Sequence, residues 1–518
     1  MTPDVNRSVR EARHKLKTLD ELAAVADTAR GKGLKVVLAH GVFDLVHMGH
    51  VRHLEAARRE GDVLIVTTTA DHLVNKGPGR PIFSQNLRAE MLAALEYVDW
   101  VGINQAASAE TVLEVVRPDV YVKGADYENP DDDITGNIAK ERDVVEGHGG
   151  RIVFTRDISF SSSELINKYL DIYDRPLRDY LDGRRNSGAA GKIMELIESV
   201  KDYRVLLVGD AIIDEYQYVQ AMAKAPKENM IATRSLDCEM FAGGVFAAAN
   251  HVANFCAEVE IVTVLGGKES HEDFVRGKLK PNVKLTPIYR DDVPTTRKCR
   301  FIDEGYVRKL FEVYYFDDSP PAPALEKATT KAITERARDF DLVIATDFGH
   351  GMLTAPAIGA LTEKSRFLAV NTQTNSANLG YNLITKYKQA DFICVDAPEA
   401  QLASGDRFSD IETIVAKHLS KRIECDKFIV THGQEGCVTF EPGVGSVRIP
   451  AFTQTVVDTV GAGDAFLAVS APLAAAGGPM ELVGFVGNAA GAMKVSIVGH
   501  RRSIEKVPLI RYITTLLK

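Results

Sequence analysis

Two histidines three residues apart, His47 and His50, close the stretch Gly41-Val42-Phe43-Asp44-Leu45-Val46-His47-Met48-Gly49-His50. An imidazole can donate a hydrogen bond to the charge that grows on a pentacoordinate phosphorus, which makes the pair suited to phosphoryl or nucleotidyl transfer. The glycine between them leaves room for a phosphate to approach the backbone. The elements that must position the pair lie on either side. Leu34, Val36, Val37, Leu38 and Ala39 read as a buried strand, and Val51, Leu54 and Ala57 follow at the spacing of an apolar helix face. The histidines therefore fall at a strand-to-helix turn, where α/β proteins bind phosphates. Paired histidines also serve as metal ligands or as structural groups. Here no HExxH occurs, and no cysteine precedes Cys238.

Further cations and hydroxyls stand downstream. Lys76-Gly77-Pro78-Gly79-Arg80-Pro81 is a loop with two cations, Arg88 opens a helix, and Val122-Lys123-Gly124-Ala125-Asp126-Tyr127 ends a strand. Arg156 precedes Ser161, Ser162 and Ser163, whose hydroxyls can cap a helix and hold a phosphate at its N-terminus. Taken singly, each is as well explained by a surface charge or a cap. In this order, over about residues 16–170, they resemble the nucleotidyltransferase half of the bacterial bifunctional ADP-heptose synthases, within the cytidylyltransferase-like HxGH enzymes. The resemblance implies that His47 and His50 contact nucleotide phosphates and stabilise the transition state. It implies that Lys123 and Arg88 hold phosphates, with Gly41, Phe43, Arg80, Arg156, Ser161, Ser162 and Ser163 around the nucleotide. Asp44 would order the turn or contact the acceptor sugar, and Asp126 would lie on the acceptor side. Arg156 also resembles the arginine of the RTxGIST motif of glycerol- and choline-phosphate cytidylyltransferases, with Ser159 in place of its glycine. Both ATP and CTP therefore remain open as the nucleotide.

A second phosphate-binding phrase lies more than four hundred residues on, at Asp458-Thr459-Val460-Gly461-Ala462-Gly463-Asp464-Ala465-Phe466. A glycine-rich turn opening a helix presents N–H groups to an anion, and a carboxylate ending it can take a proton from a hydroxyl that attacks phosphorus. The phrase resembles the signature of the ribokinase-like (PfkB) sugar kinases, over about residues 201–510. The resemblance implies Asp464 as base and Gly461, Ala462 and Gly463 as the anion hole, with ATP and magnesium as cofactors. It implies Asp214, the pair Gly243 and Gly244, and Asn250 on the sugar. Glu399 would influence magnesium indirectly, and Thr431, Gly433 and Asn488 would lie near the nucleotide. Several positions depart from the heptose kinases. Val245-Phe246 follows the glycine pair, His350 stands in place of a lysine, and Asn371-Thr372-Gln373-Thr374-Asn375 replaces a DPK triplet.

Alternating strands and helices on both sides of residue 200 predict an α/β protein. The resemblance makes it two doubly wound parallel-sheet domains, a Rossmann-like nucleotidyltransferase and then a ribokinase-like kinase with a small β lid. The expected division is 1–172, a helical linker at 173–200 with a flexible joint at Arg184–Gly188, and 201–518. One helix is expected over 8–30, and lid strands over 215–237 and 293–316, through which the chain would form a homodimer. A formal charge of −9 argues against nucleic acid as a partner, and six scattered cysteines without a CxxC pair suit a reducing compartment. The N-terminus lacks an apolar signal segment, and the apolar region at 465–498 is broken by Gly477-Gly478-Pro479, Glu481 and Lys494. A cytoplasmic protein without membrane contact is expected.

The resemblances together imply a bifunctional enzyme acting on a sugar or sugar phosphate and a nucleoside triphosphate. It would make a nucleotide-activated, heptose-like sugar for surface polysaccharide. The departures leave a second expectation: an active transferase joined to an inactive, ligand-sensing kinase-like domain. The domain order is the reverse of that in the ADP-heptose synthases.

Overall fold

A computed structural model describes residues 12–74, 77, 79–106, 108–124, 137–155, 166–167, 172–225, 227–303, 305, 308–317, 319–453 and 455–518. The chain forms two compact units. The first comprises Met1–Asp174 with Ile510–Leu516 and Lys518, and the second comprises Arg175–Leu509 with Leu517.

The first unit carries a five-stranded parallel sheet in the order β3-β2-β1-β4-β5, formed by Val36–Gly41 (β1), Val63–Thr69 (β2), Trp100–Asn104 (β3), Val120–Gly124 (β4) and Arg151–Thr155 (β5). Val36, Val37, Leu38, Leu64, Ile65 and Val66 are inaccessible, as expected for central strands covered on both faces. The helix expected over 8–30 is shorter. A 3-10 turn, Ala12–Lys15, precedes a helix at Leu19–Gly31. Thr18 sets that start, because its hydroxyl accepts from Glu21 N–H while the Glu21 carboxylate accepts from Thr18 N–H. The strand order reverses between β1 and β4, and Ala39 sits beside Val122. Their carboxyl ends therefore frame the crevice where doubly wound sheets bind ligands.

The second unit is built on a nine-stranded sheet in the order β10-β9-β6-β13-β14-β15-β16-β17-β18. Its strands are Arg204–Gly209 (β6), Glu258–Lys268 (β9), Val283–Pro294 (β10), Leu342–Asp347 (β13), Leu368–Thr372 (β14), Phe392–Asp396 (β15), Lys427–Thr431 (β16), Cys437–Glu441 (β17) and Gly445–Ile449 (β18). A four-stranded sheet, β12-β11-β7-β8, joins Ala211–Lys224 (β7), Ile231–Gly244 (β8), Arg297–Asp303 (β11) and Arg308–Tyr315 (β12). This small sheet accounts for the segments expected to form a lid. Helices Ala462–Ala475 and Met480–Lys494 pack closely because alanine and glycine line them, with Gly487 against the Phe466 ring. Around the expected joint, helices Arg175–Asn186 and Ala189–Ser199 flank a left-handed Gly188, and Arg184 pairs with Glu481 at 2.5 Å. All six cysteines are free thiols. Among the described residues, no helix is long and apolar enough to cross a membrane.

Candidate active sites

In the first unit His47 is the N-cap of the Met48–Arg59 helix, so the two histidines straddle the helix start rather than sharing a loop. Nδ1 of His47 accepts from Gly49 N–H at 3.1 Å, and Nδ1 of His50 accepts from His47 N–H at 3.4 Å. An Nδ1 that accepts a backbone N–H leaves the ring proton on Nε2. Both rings are therefore set as Nε2–H donors, stacked with centroids 4.0 Å apart. Burial lowers the His47 pKa, which favours a neutral imidazole that donates without carrying charge. Lys123, at the end of β4, pairs with buried Glu141 at 2.8 Å and lies over the Tyr121 ring. The helix start after β1 thus presents two imidazoles, while the Lys123 ammonium at the end of β4 is held by Glu141.

Several expected contacts turn out to be architectural. Arg88 is completely buried, and its N–H groups donate to Phe83 O, Val42 O, Thr68 Oγ1, Thr69 O and Asp71 Oδ1 at 2.5–2.9 Å. Five donors meet five protein acceptors, so this guanidinium clamps the turn after β1 to the end of β2 and does not hold phosphate. Asp44 is likewise turned inward. It accepts from Ile82 N–H at 2.6 Å and lies 3.5 Å from Arg80, whose other terminal nitrogen donates to Asn167 at 2.9 Å. Neither the Asp44 nor the Arg80 side chain is exposed, so Asp44 orders the turn, the first of its two expected roles, and Arg80 is engaged by Asp44 and Asn167. Phe43 has a positive φ and is buried with its ring edge-on to His50 and close to Gly41, supporting the motif from behind. Asp126, Arg156, Ser161, Ser162 and Ser163 lie outside the described residues.

Arg88→Met should therefore act on folding. Removing one partner of a buried network costs about 3–5 kcal/mol. The only tryptophan of the chain, Trp100, lies in β3, so its fluorescence reports this unit. The expected result is a lower urea midpoint with an unchanged nucleotide KM in the folded range. A raised KM at an unchanged midpoint would return Arg88 to the phosphate site.

In the second unit the crevice lies between β6 and β13. Asp210, just after β6, accepts from Phe348, His350 and Met352 N–H and so shapes the loop after β13. Asp214 is buried on β7, paired with Arg300 and 3.3 Å from His500 Nε2. Burial opposes its ionisation, but the His500 hydrogen bond and the Arg300 charge outweigh it and hold this carboxyl below the usual range. A Cβ on Gly243 would strike the Asp214 carboxylate, so the glycine pair makes room for that group. Gly461 is left-handed (φ +74°) and lies against the His500 ring, where a Cβ would clash. It opens the Ala462–Ala475 helix, and Asp464 follows in the first turn. Desolvation raises the Asp464 pKa, and the neighbouring His500 counters the rise.

Other expected roles change here too. Ala462 N–H donates to Thr459 O at 3.2 Å, closing the turn, so it is not an anion donor; the free ends of the helix's first turn fall at Gly463 and Asp464. Asn250 bonds Lys278 O and Lys280 N–H, tying a helix to the start of β10 instead of meeting a sugar. The Glu399 oxygens accept from Thr374 N–H at 3.0 Å and Asp396 N–H at 2.9 Å. Burial, and then the Asp396 charge, push its carboxyl up to about 8. Among the described residues no group of three potential metal ligands comes together. Asn488 donates to Pro450 O at 2.7 Å, and Thr431 ends β16 ahead of Gly433, which has φ +52°. Lys386, from a later segment, pairs with Asp347 at 2.6 Å. His350 itself packs on Phe316, and burial, then the Lys298 charge, pull its pKa down to about 3.

Arg300, Lys298, His500 and Lys494 were not anticipated at this site. Arg300 and Lys298 alternate with other residues on β11 and carry no motif. His500 follows the last apolar helix by a few residues. Only Lys494 left a trace, as a lone cation in an apolar run.

Residues 203–507 match the family model described as pfkB family carbohydrate kinase, and residues 38–168 match one described as cytidylyltransferase-like. The first part of the chain is similar to the bifunctional protein HldE of Citrifermentans bemidjiense, at 37% identity over 173 residues, or 33% of this chain and 34% of that protein. It is similar also to HldE of Pseudomonas putida, at 41% identity over 150 residues, or 29% and 30% of the two chains. The matched stretch spans about a third of the length of these relatives. Among solved structures, ribokinase from Thermotoga maritima matches with TM-score 0.48 and 18% identity, over 60% of this chain and 99% of the other. Phosphofructokinase-2 from Escherichia coli matches with TM-score 0.49 and 14% identity, over 60% and 99%.

Proposed function

The chain belongs to the pfkB family of carbohydrate kinases, and on that premise we propose a bifunctional enzyme. Its second unit phosphorylates a sugar or sugar phosphate with ATP and magnesium. Its first unit joins a nucleoside triphosphate, ATP or CTP, to a sugar phosphate and releases pyrophosphate. The product is a nucleotide-activated, heptose-like sugar of the kind used in surface polysaccharide, made in the cytoplasm. The observation that carries this reading is the orientation of His47 and His50, two Nε2–H donors at the helix start that follows β1. An acceptor phosphate is already ionised, so attack on the α-phosphorus needs charge neutralisation and alignment rather than a strong base. In the kinase, the acceptor is a neutral hydroxyl, and Asp464 takes its proton.

A mass-spectrometric screen of mixed sugars and sugar phosphates with each nucleoside triphosphate tests the proposal. The expected result is a nucleotide-linked sugar with matching pyrophosphate release, and the preferred nucleotide is read from the same screen. No nucleotide-linked sugar from any mixture would defeat it. The small sheet exposes Met222, Ile231, Leu310 and Phe311, a face suited to pairing two chains. Light scattering on the same preparation should give twice the 56.6 kDa chain mass, and a monomer would remove the dimer. The second reading, a transferase with a ligand-sensing second unit, draws on the capture of Glu399 by Thr374 N–H in the altered 371–375 loop.

A further inference from the structure

Lys494 ends the Met480–Lys494 helix and is completely buried. Its ammonium donates to Val460 O at 2.6 Å and to Gly499 O at 2.8 Å. Val460 and Gly499 are also the two residues whose N–H groups donate to the Asp458 carboxylate, at 3.1 and 2.8 Å. One carboxylate and one ammonium therefore grip the same two strands of backbone, one through N–H groups and the other through carbonyls. Asp458 is steadied in turn by Tyr216 and Lys309, each at 2.7 Å. The residues next along the two strands are Gly461, which opens the Asp464 helix, and His500, which lies over Gly461 and bonds Asp214.

An apolar side chain would fill this volume without the cost of desolvating a charge. What it could not do is satisfy two inward-facing carbonyls, which would repel each other across a dry gap. Converging main-chain carbonyls are how proteins replace the water around a monovalent cation. Here that cation is covalently attached. Burial pulls the Lys494 pKa down to about 8, with Asp458 opposing the shift, so the group stays largely charged at neutral pH.

We propose that Lys494 is a positioning residue of the kinase site, a tethered monovalent cation that locks the Val460–Asp464 turn to the Gly499–His500 loop. The turn is then set for phosphate and acceptor without a cation from solution. This rests on the kinase reading of the second unit.

The test uses the full chain, with Asp464-dependent ATP turnover measured in potassium, ammonium or tetramethylammonium chloride at equal ionic strength. Wild-type turnover should agree among the three salts within about twofold, because the site is already filled. Lys494→Met should lower kcat by ~100-fold through misplacement of the turn, with a smaller change in KM. Lys494→Ala, which leaves room for an ion, should regain at least about fivefold in ammonium or potassium, and its melting temperature should rise in the same salts, by mass action. Tetramethylammonium is too large to enter and should do neither. A wild type that depends on potassium overturns the proposal, even if both variants fail to fold. So does a folded Lys494→Met with kcat near wild type, or a folded Lys494→Ala that responds to no cation. If no sugar gives Asp464-dependent turnover, the kinase reading fails, and the ammonium-dependent melting of Lys494→Ala still decides for or against the clamp.

Discussion

Asp464→Asn should lower sugar-dependent ATP turnover by about 10³-fold while pyrophosphate release by the first unit stays within about twofold, in line with the loss of a general base. Asparagine keeps the shape and the place in the first turn of the Ala462–Ala475 helix but cannot take the acceptor's proton. The helix start and its N–H groups remain, so nucleotide binding should change little. Two forces set the working range of this base. Desolvation and the Asp214 charge raise the Asp464 pKa, and the His500 and Lys494 charges lower it, with a net rise. The acid limb of the kinase pH profile should therefore lie above the ordinary carboxylate range, activity falling as pH drops through it. Turnover that is equal in Asp464→Asn and wild type across a panel of sugars would remove the kinase assignment. A ligand-sensing second unit would then be the better reading.

His47→Asn and His50→Ala should each reduce pyrophosphate release by about 10²–10³-fold, the scale of losing one oriented donor to transition-state charge. The asparagine at 47 separates chemistry from folding. His47 caps the Met48–Arg59 helix, and deleting a cap costs about 0.5–2 kcal/mol. Asparagine is among the best N-caps, so its side-chain oxygen can replace Nδ1 as acceptor for the helix N–H while nothing replaces Nε2–H. The urea midpoint followed through Trp100 should stay near wild type in His47→Asn and fall in His47→Ala, and both variants should lose activity. Undiminished release in a double His47→Ala, His50→Ala variant would sink the transferase assignment. A second outcome is informative about geometry. Since each Nδ1 accepts a backbone N–H within the same helix start, loss of either ring should loosen the other, and the double variant should lose less than the product of the two single losses.

The glycine- and histidine-bearing turns were legible because they are local. At Gly41–His50 a strand end, a tight turn and a capped helix start fall within a few consecutive residues, and at Asp458–Asp464 a left-handed glycine opens a helix that carries Asp464 in its first turn, so backbone geometry and chemistry are written together. The α/β architecture was legible for the same reason, since Val- and Leu-rich strands such as Val205–Val208 announce a doubly covered sheet. Charged side chains were read less well. A lone arginine looks the same in sequence whether it faces a phosphate, as expected of Arg88, or five protein acceptors, as found. Its fate depends on which carbonyls the turn after β1 and the end of β2 bring to it.

By itself, then, the sequence determined two glycine-bearing turns that open helices, the strands and helices around them, and the family to which the larger part of the chain belongs. Only the tertiary structure decided which cations remain for substrate and which are consumed by the fold. Arg88, Arg80 and Asp44 went inward, whereas Arg300, His500 and Lys386 came from distant segments to meet Asp214 and Asp347. The physical reason is that an ion pair or a buried ammonium is defined by partners across the sheet, tens to hundreds of residues away. Lys494 shows this most clearly. In the sequence it is a blemish in an apolar helix, and in the folded chain it holds the carbonyls of Val460 and Gly499 in place.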